Sequence, residues 1–374
     1  MLDTQETPTT QPVSDPGGGA KQDAAKAQPA RRLSGGRLLW PALVLAALLI
    51  FNAVFSPGFF QIRVLDGHLF GSLIDILNRG APLVVLSMGM TLVIATGGVD
   101  LSVGSVMAIA GAIAACLAAR PDFSPVSALN VHGSVVAMLC ISLLVALLAG
   151  IWNGVLVAII DIQPIVATLI LMVAGRGIAQ LLTDGQVISF ENPHFAFLGG
   201  GFLLGLPFPV TIAVIAVVLT GLLARATAFG LFVESVGNNP TASHYAGVNA
   251  RFVKLAAYAF CGLVAGVAGL IMTADNNAAD VNNIGLYWEL DAILAVCIGG
   301  TALTGGRFSL AGTAVGAVLI QTLNTTILST KIAGHGIPGD VRLVVKAIVI
   351  IGVCLLQSEV FRNKTFKLLG RRRP

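Results

Sequence analysis

The sequence predicts an all-α polytopic membrane protein of about ten transmembrane helices, some short or broken, with a possible internal duplication. Three observations lead there. Of 374 residues, 56% are hydrophobic and only 11% charged, against about 25% charged in soluble domains. Mean hydropathy is +0.88, and the apolar residues fall in long unbroken runs instead of amphipathic stripes. The chain carries 43 glycines but three tryptophans and three tyrosines. Small residues let helix backbones approach closely in lipid, where water does not drive association. A β-barrel would show segments of about ten alternating residues, and none is present. A soluble enzyme, a nucleic-acid binder and a disordered protein are all poor fits.

Residues 1–36 are rich in Thr, Gln, Pro, Gly and Ala without an apolar period, and 1–37 reads as a disordered cytoplasmic tail. It lacks the grammar of a signal peptide, having a long polar lead and no small-x-small cleavage site after the apolar run. Ten apolar spans follow, at about 38–55, 80–97, 101–119, 132–151, 163–183, 209–224, 254–274, 286–300, 308–328 and 340–358. The eighth is short and charged, as a broken or re-entrant helix would be. The transmembrane region is thus 38–358, and 359–374 is a basic cytoplasmic tail suited to anionic lipid.

Of the 22 Lys and Arg, five lie in residues 1–37 and six in 359–374. This places both termini in the cytoplasm, with 225–253 inside and 184–208 and 275–285 outside. The inside loop and its edge hold Arg225, Arg251 and Lys254, and the two outside segments hold no Lys or Arg. Arg63, Arg79 and Arg120 fall outside and run against the rule. Thr96-Gly97-Gly98 precedes Gly104 at the same spacing that Thr304-Gly305-Gly306 precedes Gly312, a short internal echo of the kind duplicated transporters carry. The five cysteines lie in apolar stretches without metal-site spacing and read as small core residues.

No phosphate-binding G-x-x-x-x-G-K-[ST], HExxH or G-x-S-x-G is present, so no catalytic cluster is visible. Within 225–253, Asn239-Pro240 through Ala246 to Gly247 spells a short capped helix. It suits docking into a partner's cleft, or equally a connecting turn. In Gly97–Gly104, two glycines break one span before the next. Asp100 and Ser102 can cap the new helix or line a pathway. Asn153, Gln163, Thr168, Arg176, Glu289, Asp291, Gln321 and Asn324 lie at or near membrane depth. There polar groups face a wet path or bond to neighbouring helices. Lys346 can snorkel. The GxxxG pairs Gly262/Gly266 and Gly312/Gly316 permit close crossing, within one chain or across a dimer.

Thr96–Gly104 (TGGVDLSVG), Ile151–Gly154 (IWNG), Gln163–Gln180, Gly237–Asn249 (GNNPTASHYAGVN) and Glu289–Phe308 resemble the monosaccharide permease family of bacterial ABC importers over about 38–358. Arg307-Phe308 after Gly305-Gly306, with Gly67–Gly71 and Ile74–Arg79, resembles the galactofuranose-type group; ribose-type permeases typically have a glycine shortly after that double glycine. The long N-terminal tail departs from the pattern. The resemblance implies a bacterial inner-membrane permease subunit with no cofactor or enzymatic activity of its own. It implies an ABC ATPase partner that binds ATP and Mg, a periplasmic sugar-binding protein, and a second permease subunit, identical or sister, in the bilayer. It implies that Glu234, Gly237, Asn238, Asn239, Pro240, Tyr245, Gly247 and Asn249 couple to the ATPase. An ion-coupled secondary transporter is the alternative, resting on Asp100 and Asp291, which serve equally well as caps. A membrane-embedded enzyme is weaker still.

Overall fold

The computed structural model describes residues 34–55, 58–65, 67–119 and 134–329, with 331–332, 335–336, 341, 343–348 and 351–352 beyond them. Contacts divide the chain into Met1–Ser34 and Gly35–Pro374, and the architecture is that of the second unit. The expected 359–374 tail and residues 1–33 of the expected 1–37 tail lie outside the described residues, as does most of the tenth span; residues 34–37 are helical instead of disordered, so the first helix begins four residues before the expected start at 38.

The helices run α1 (Ser34–Phe55), α2 (Ser72–Ala95), α3 (Val103–Ala119), α4 (Val135–Ala158), α5 (Pro164–Thr183), α6 (Pro193–Gly200) and α7 (Phe208–Arg225). They continue as α8 (Ala228–Asn238), α9 (Pro240–Tyr245), α10 (Ala250–Asn276), α11 (Trp288–Ile298) and α12 (Leu310–Ser329). Residues 341, 343–348 and 351–352 are helical as well. Four antiparallel pairs of two- or three-residue strands join loop segments, among them 188–189 with 278–279; no larger sheet exists among the described residues.

Six described helices are long and apolar enough to cross a membrane: α2, α4, α5, α7, α10 and α12. Trp40–Phe55 and α3 are apolar but shorter. The fourth span lies later than its hydropathy suggested, at Val135–Ala158 against 132–151. Its start is fixed by the Ser134 cap, whose hydroxyl accepts from Ala137 N. The eighth stops after 11 residues, because Gly299-Gly300 follows and Gly300 is left-handed (φ 90°).

The helices differ in how they are used. The apolar window of α2 is 83% buried, against 22% for α4 and 28% for α5. A helix apolar on every side and buried on every side is a central post. α10 packs on α4, α2 and α3, and α12 packs on α2 and α11. The GxxxG pairs operate within this chain. A Cβ on Gly262 would lie 2.5 Å from Ala146 O and 2.7 Å from Gly150 Cα, and one on Gly154 would lie 3.0 Å from Leu255 Cα. Gly312 and Gly316 sit directly on the carbonyls of Gly299 and Ala295. Cys116 and Cys261 are buried as expected, Cys297 is half-buried, and Cys140 departs from the expectation by facing outward from α4.

Candidate functional site

The segment between α7 and α10 is built from caps. The Thr227 hydroxyl accepts from Phe229 N (3.2 Å) to start α8. The Asn239 carboxamide accepts from Ala242 N (2.9 Å) to start α9, with Pro240 in its first turn. The Asn249 carboxamide accepts from Phe252 N (3.1 Å) to start α10. Gly247 adopts φ 83°, the left-handed conformation that glycine supplies at least cost. Ser235 and Ser243 hydroxyls meet at 2.7 Å and tie α8 to α9. The result is a compact double elbow whose α9 is exposed except at Ser243, with Tyr245 86% exposed.

This elbow rests on a glycine junction. Gly306 N donates to Ala95 O at 2.9 Å. A Cβ on Gly305 would lie 2.8 Å from Gly97 N and 3.0 Å from Gly237 O, and one on Gly237 would overlap Ala95 O. The Asn238 carboxamide covers Gly306, at 2.6 Å from where a Cβ would stand, and donates to Glu234 O at 2.8 Å. Arg225 reaches Glu234 (3.6 Å) and Phe308 O (3.3 Å) and lies 5.2 Å over the Phe308 ring. The two Thr-Gly-Gly turns, 208 residues apart, therefore meet at the root of the elbow. Their companion glycines behave alike too: Gly104 abuts Gly285 O, and Gly312 abuts Gly299 O.

Behind the first turn lies a buried polar knot. Asp100 is 1% exposed and Asn153 fully buried. Asp100 Oδ1 accepts from Ser102 N (2.9 Å), Ser102 Oγ (2.7 Å) and Asn153 Nδ2 (3.2 Å). Asn153 Nδ2 also donates to Ser102 Oγ at 2.7 Å. The knot satisfies the start of α3 and bolts it to α4. Tyr258 OH donates to Val99 O (3.1 Å), and Ser105 Oγ reaches Ser102 O (2.7 Å) and Leu171 O (3.0 Å). Tyr258 and Ser105 were not legible as partners, because each lies inside an ordinary apolar run.

The remaining polar residues separate. The Thr168 hydroxyl donates to Pro164 O in its own helix, and Gln163 is an exposed residue preceding α5. Arg176 Nη1 donates to Val281 O and Ile284 O, each at 2.7 Å, and its charge also acts on buried Glu289. Asp291 pairs with Lys346 at 2.6 Å, both side chains about 15% exposed, so Lys346 is held by a partner instead of snorkelling freely. Gln321 and Asn324 lie on α12, Gln321 on the wall of a cavity of 260 Å³ and Asn324 half-buried. Among the described residues no His/Cys/Asp/Glu group could hold a metal ion.

Residues 72–354 match the family described as "Branched-chain amino acid transport system / permease component". The chain belongs to this permease family. The permease is 49% identical over 330 residues to the galactofuranose transporter permease protein YtfT of Escherichia coli (strain K12), covering 87% of this chain and 92% of that one. It is 38% identical to the fructose import permease protein FruF of Bifidobacterium longum (strain NCC 2705), covering 91% and 93%. It is 33% identical to the ribose import permease protein RbsC of Haemophilus influenzae (strain ATCC 51907 / DSM 11121 / KW20 / Rd), covering 88% and 96%. No solved structure matches the chain. The permease is an all-α polytopic membrane protein, and its relatives are transport subunits.

Proposed function

We propose that this chain is the membrane-spanning subunit of a bacterial ABC importer that moves galactofuranose, delivered by a periplasmic binding protein and driven by a separate ATPase. The observation that carries the reading is near-full-length similarity to the galactofuranose permease at 49% identity. The chain crosses the inner membrane ten times with both ends cytoplasmic, 1–33 and 359–374 forming its tails, and it works as a pair with an identical or sister permease.

The 225–253 elbow is the coupling device. A short rod with an exposed Tyr245 on α9 fits a cleft in the ATPase, which binds ATP and Mg. Glu234, Gly237, Asn238, Asn239, Pro240, Gly247 and Asn249 shape the rod, its hinges and its seat. Because Gly237 of α8 touches Ala95 O and Gly306 N, a push on α9 reaches the end of α2 and the loop between α11 and α12 without an intervening side chain. The Asp100–Ser102–Asn153 knot carries the displacement into α3 and α4. ATPase closure then rocks these helices and exchanges inward for outward access. Pathway residues come from the polar set Asp100, Ser102, Asn153, Gln163, Thr168, Arg176, Glu289, Asp291, Gln321 and Asn324.

The test is uptake of labelled sugars into vesicles containing this chain, its ATPase and its binding protein. ATP-dependent uptake of galactofuranose in preference to fructose and ribose is expected. Uptake by this chain alone under a proton gradient would overturn the reading.

A further inference from the structure

A cavity of 260 Å³ opens between α2, α6, α7, α10, α11 and α12. It touches α2 at Asn78, Arg79 and Pro82, and the glycine junction adjoins the last residue of that helix, Ala95; 13 residues separate Pro82 from Ala95, about 20 Å at 1.5 Å per residue. Under the topology above, this is the outward end.

The wall is unusual for a lipid-embedded bundle. Three carboxamides (Asn78, Asn276, Gln321), one carboxylate (Asp275), one guanidinium (Arg79) and one indole (Trp288) line it, and Pro82, Pro209, Ile271 and Met272 fill the gaps. Trp288 and Gln321 lie within apolar spans, where polar groups are costly and mark solute paths, and Asn78, Arg79, Asp275 and Asn276 stand at the outer ends of theirs. Their positions are held by backbone. A Cβ on Gly199 would overlap Asp275 N, so α6 lies directly against α10 there, and Gly80 leaves 3.3 Å to Gln321 Cβ and Cγ. Asn78 lines the cavity, although its Oδ1 is sealed from solvent and unpaired, which leaves the amide Nδ2 as the group available to a solute hydroxyl.

The chemistry selects the ligand. Arg79 and Asp275 both line the cavity and carry opposite charges, so the lining is formally neutral and favours no ion. Carboxamides both donate and accept, as a row of hydroxyls requires. An indole offers a flat apolar face to the C–H side of a sugar ring. The volume falls just below the range of about 300–1,000 Å³ typical of drug-sized ligands, which suits a single ring.

We infer that this cavity is a way-station for the permeant, a neutral monosaccharide, whose hydroxyls bond to Asn78, Asp275, Asn276 and Gln321 and whose ring lies on Trp288. The inference rests on the permease reading and gives this chain a share of sugar selectivity. The test is saturation-transfer NMR on the full chain assembled with its ATPase in lipid nanodiscs, with galactose, fructose and ribose as probes. Saturable transfer to at least one sugar is expected, weakened about tenfold by Gln321→Ala and by Asp275→Asn, the scale of one lost hydrogen bond. Trp288→Ala should weaken it in the same way, which keeps the test alive if Asp275→Asn fails to assemble. Absence of saturable transfer to all three sugars, or transfer equal in wild type and variants, overturns the site. ATP-driven uptake by the same preparations is scored separately. Lost uptake with intact sugar binding sinks the permease reading and spares the site; intact uptake without binding does the reverse.

Discussion

The amide of Gly306 donates to the carbonyl of Ala95 at 2.9 Å, joining the end of α2 to a loop more than two hundred residues later. The bond matters because the carbonyl at the end of a helix has no partner within it, and in an apolar setting such a group is expensive to leave unpaired. Here the partner comes from the second Thr-Gly-Gly turn, and the elbow's Gly237 lies against the same carbonyl.

Gly237→Ala therefore forces the junction apart. The new methyl would overlap Ala95 O, and overpacking of this kind costs about 1–3 kcal/mol. A lowered melting temperature is expected, together with fewer sugars moved per ATP. Differential scanning fluorimetry and paired uptake and phosphate-release assays check both. A variant that melts and transports like wild type would show that the junction yields freely.

The buried knot makes a cleaner energetic prediction. Asn153→Ala removes donors to both Asp100 and Ser102, and an unsatisfied buried polar group costs about 1–3 kcal/mol. Once Asp100→Ala has been made, Asn153→Ala has less to lose. The double variant should fall short of the sum by about 0.5–3 kcal/mol. Denaturant unfolding in detergent micelles measures the cycle, and strict additivity would deny the two residues a shared network.

The Asp291–Lys346 pair predicts a rescue. Both ends are largely shielded, with bonded oxygens at 2.6 and 2.7 Å. Breaking such a pair from one side leaves an uncompensated charge and costs about 3–5 kcal/mol at full burial, less here because each side keeps some exposure. Lys346→Met alone should reduce folded yield, and Asp291→Leu/Lys346→Met should restore it. Monodisperse yield by size-exclusion chromatography distinguishes them; a double variant as poor as the single one would mean the pair serves a purpose beyond neutralisation.

The fold class was legible because composition and unbroken apolar runs speak directly of lipid. The α9 helix was legible because Asn239, Pro240 and Gly247 are local signals, each acting within a few residues. The span edges were less so, since a cap such as Ser134, not hydropathy, decides where α4 begins. What sequence reasoning missed is non-local. Tyr258 bonds Val99 across 159 positions, and Lys346 bonds Asp291 across 55. Arg79 read as a breach of charge asymmetry, and nothing near it in the chain says that it shares a cavity with Asp275, 196 residues later. The repeated Thr-Gly-Gly carried a faint signal of kinship, but nothing in a linear string says that two such turns touch.

The pairing of α4 with α10 through Gly150, Gly154 and Gly262 has an outcome for assembly. Those smooth notches are already occupied by the chain's own backbone, so a sister subunit cannot use them as glue. The proposed pairing therefore has to use other faces, and Gly177 on α5 and Gly221 on α7, with open space where a Cβ would stand, are small residues left for it.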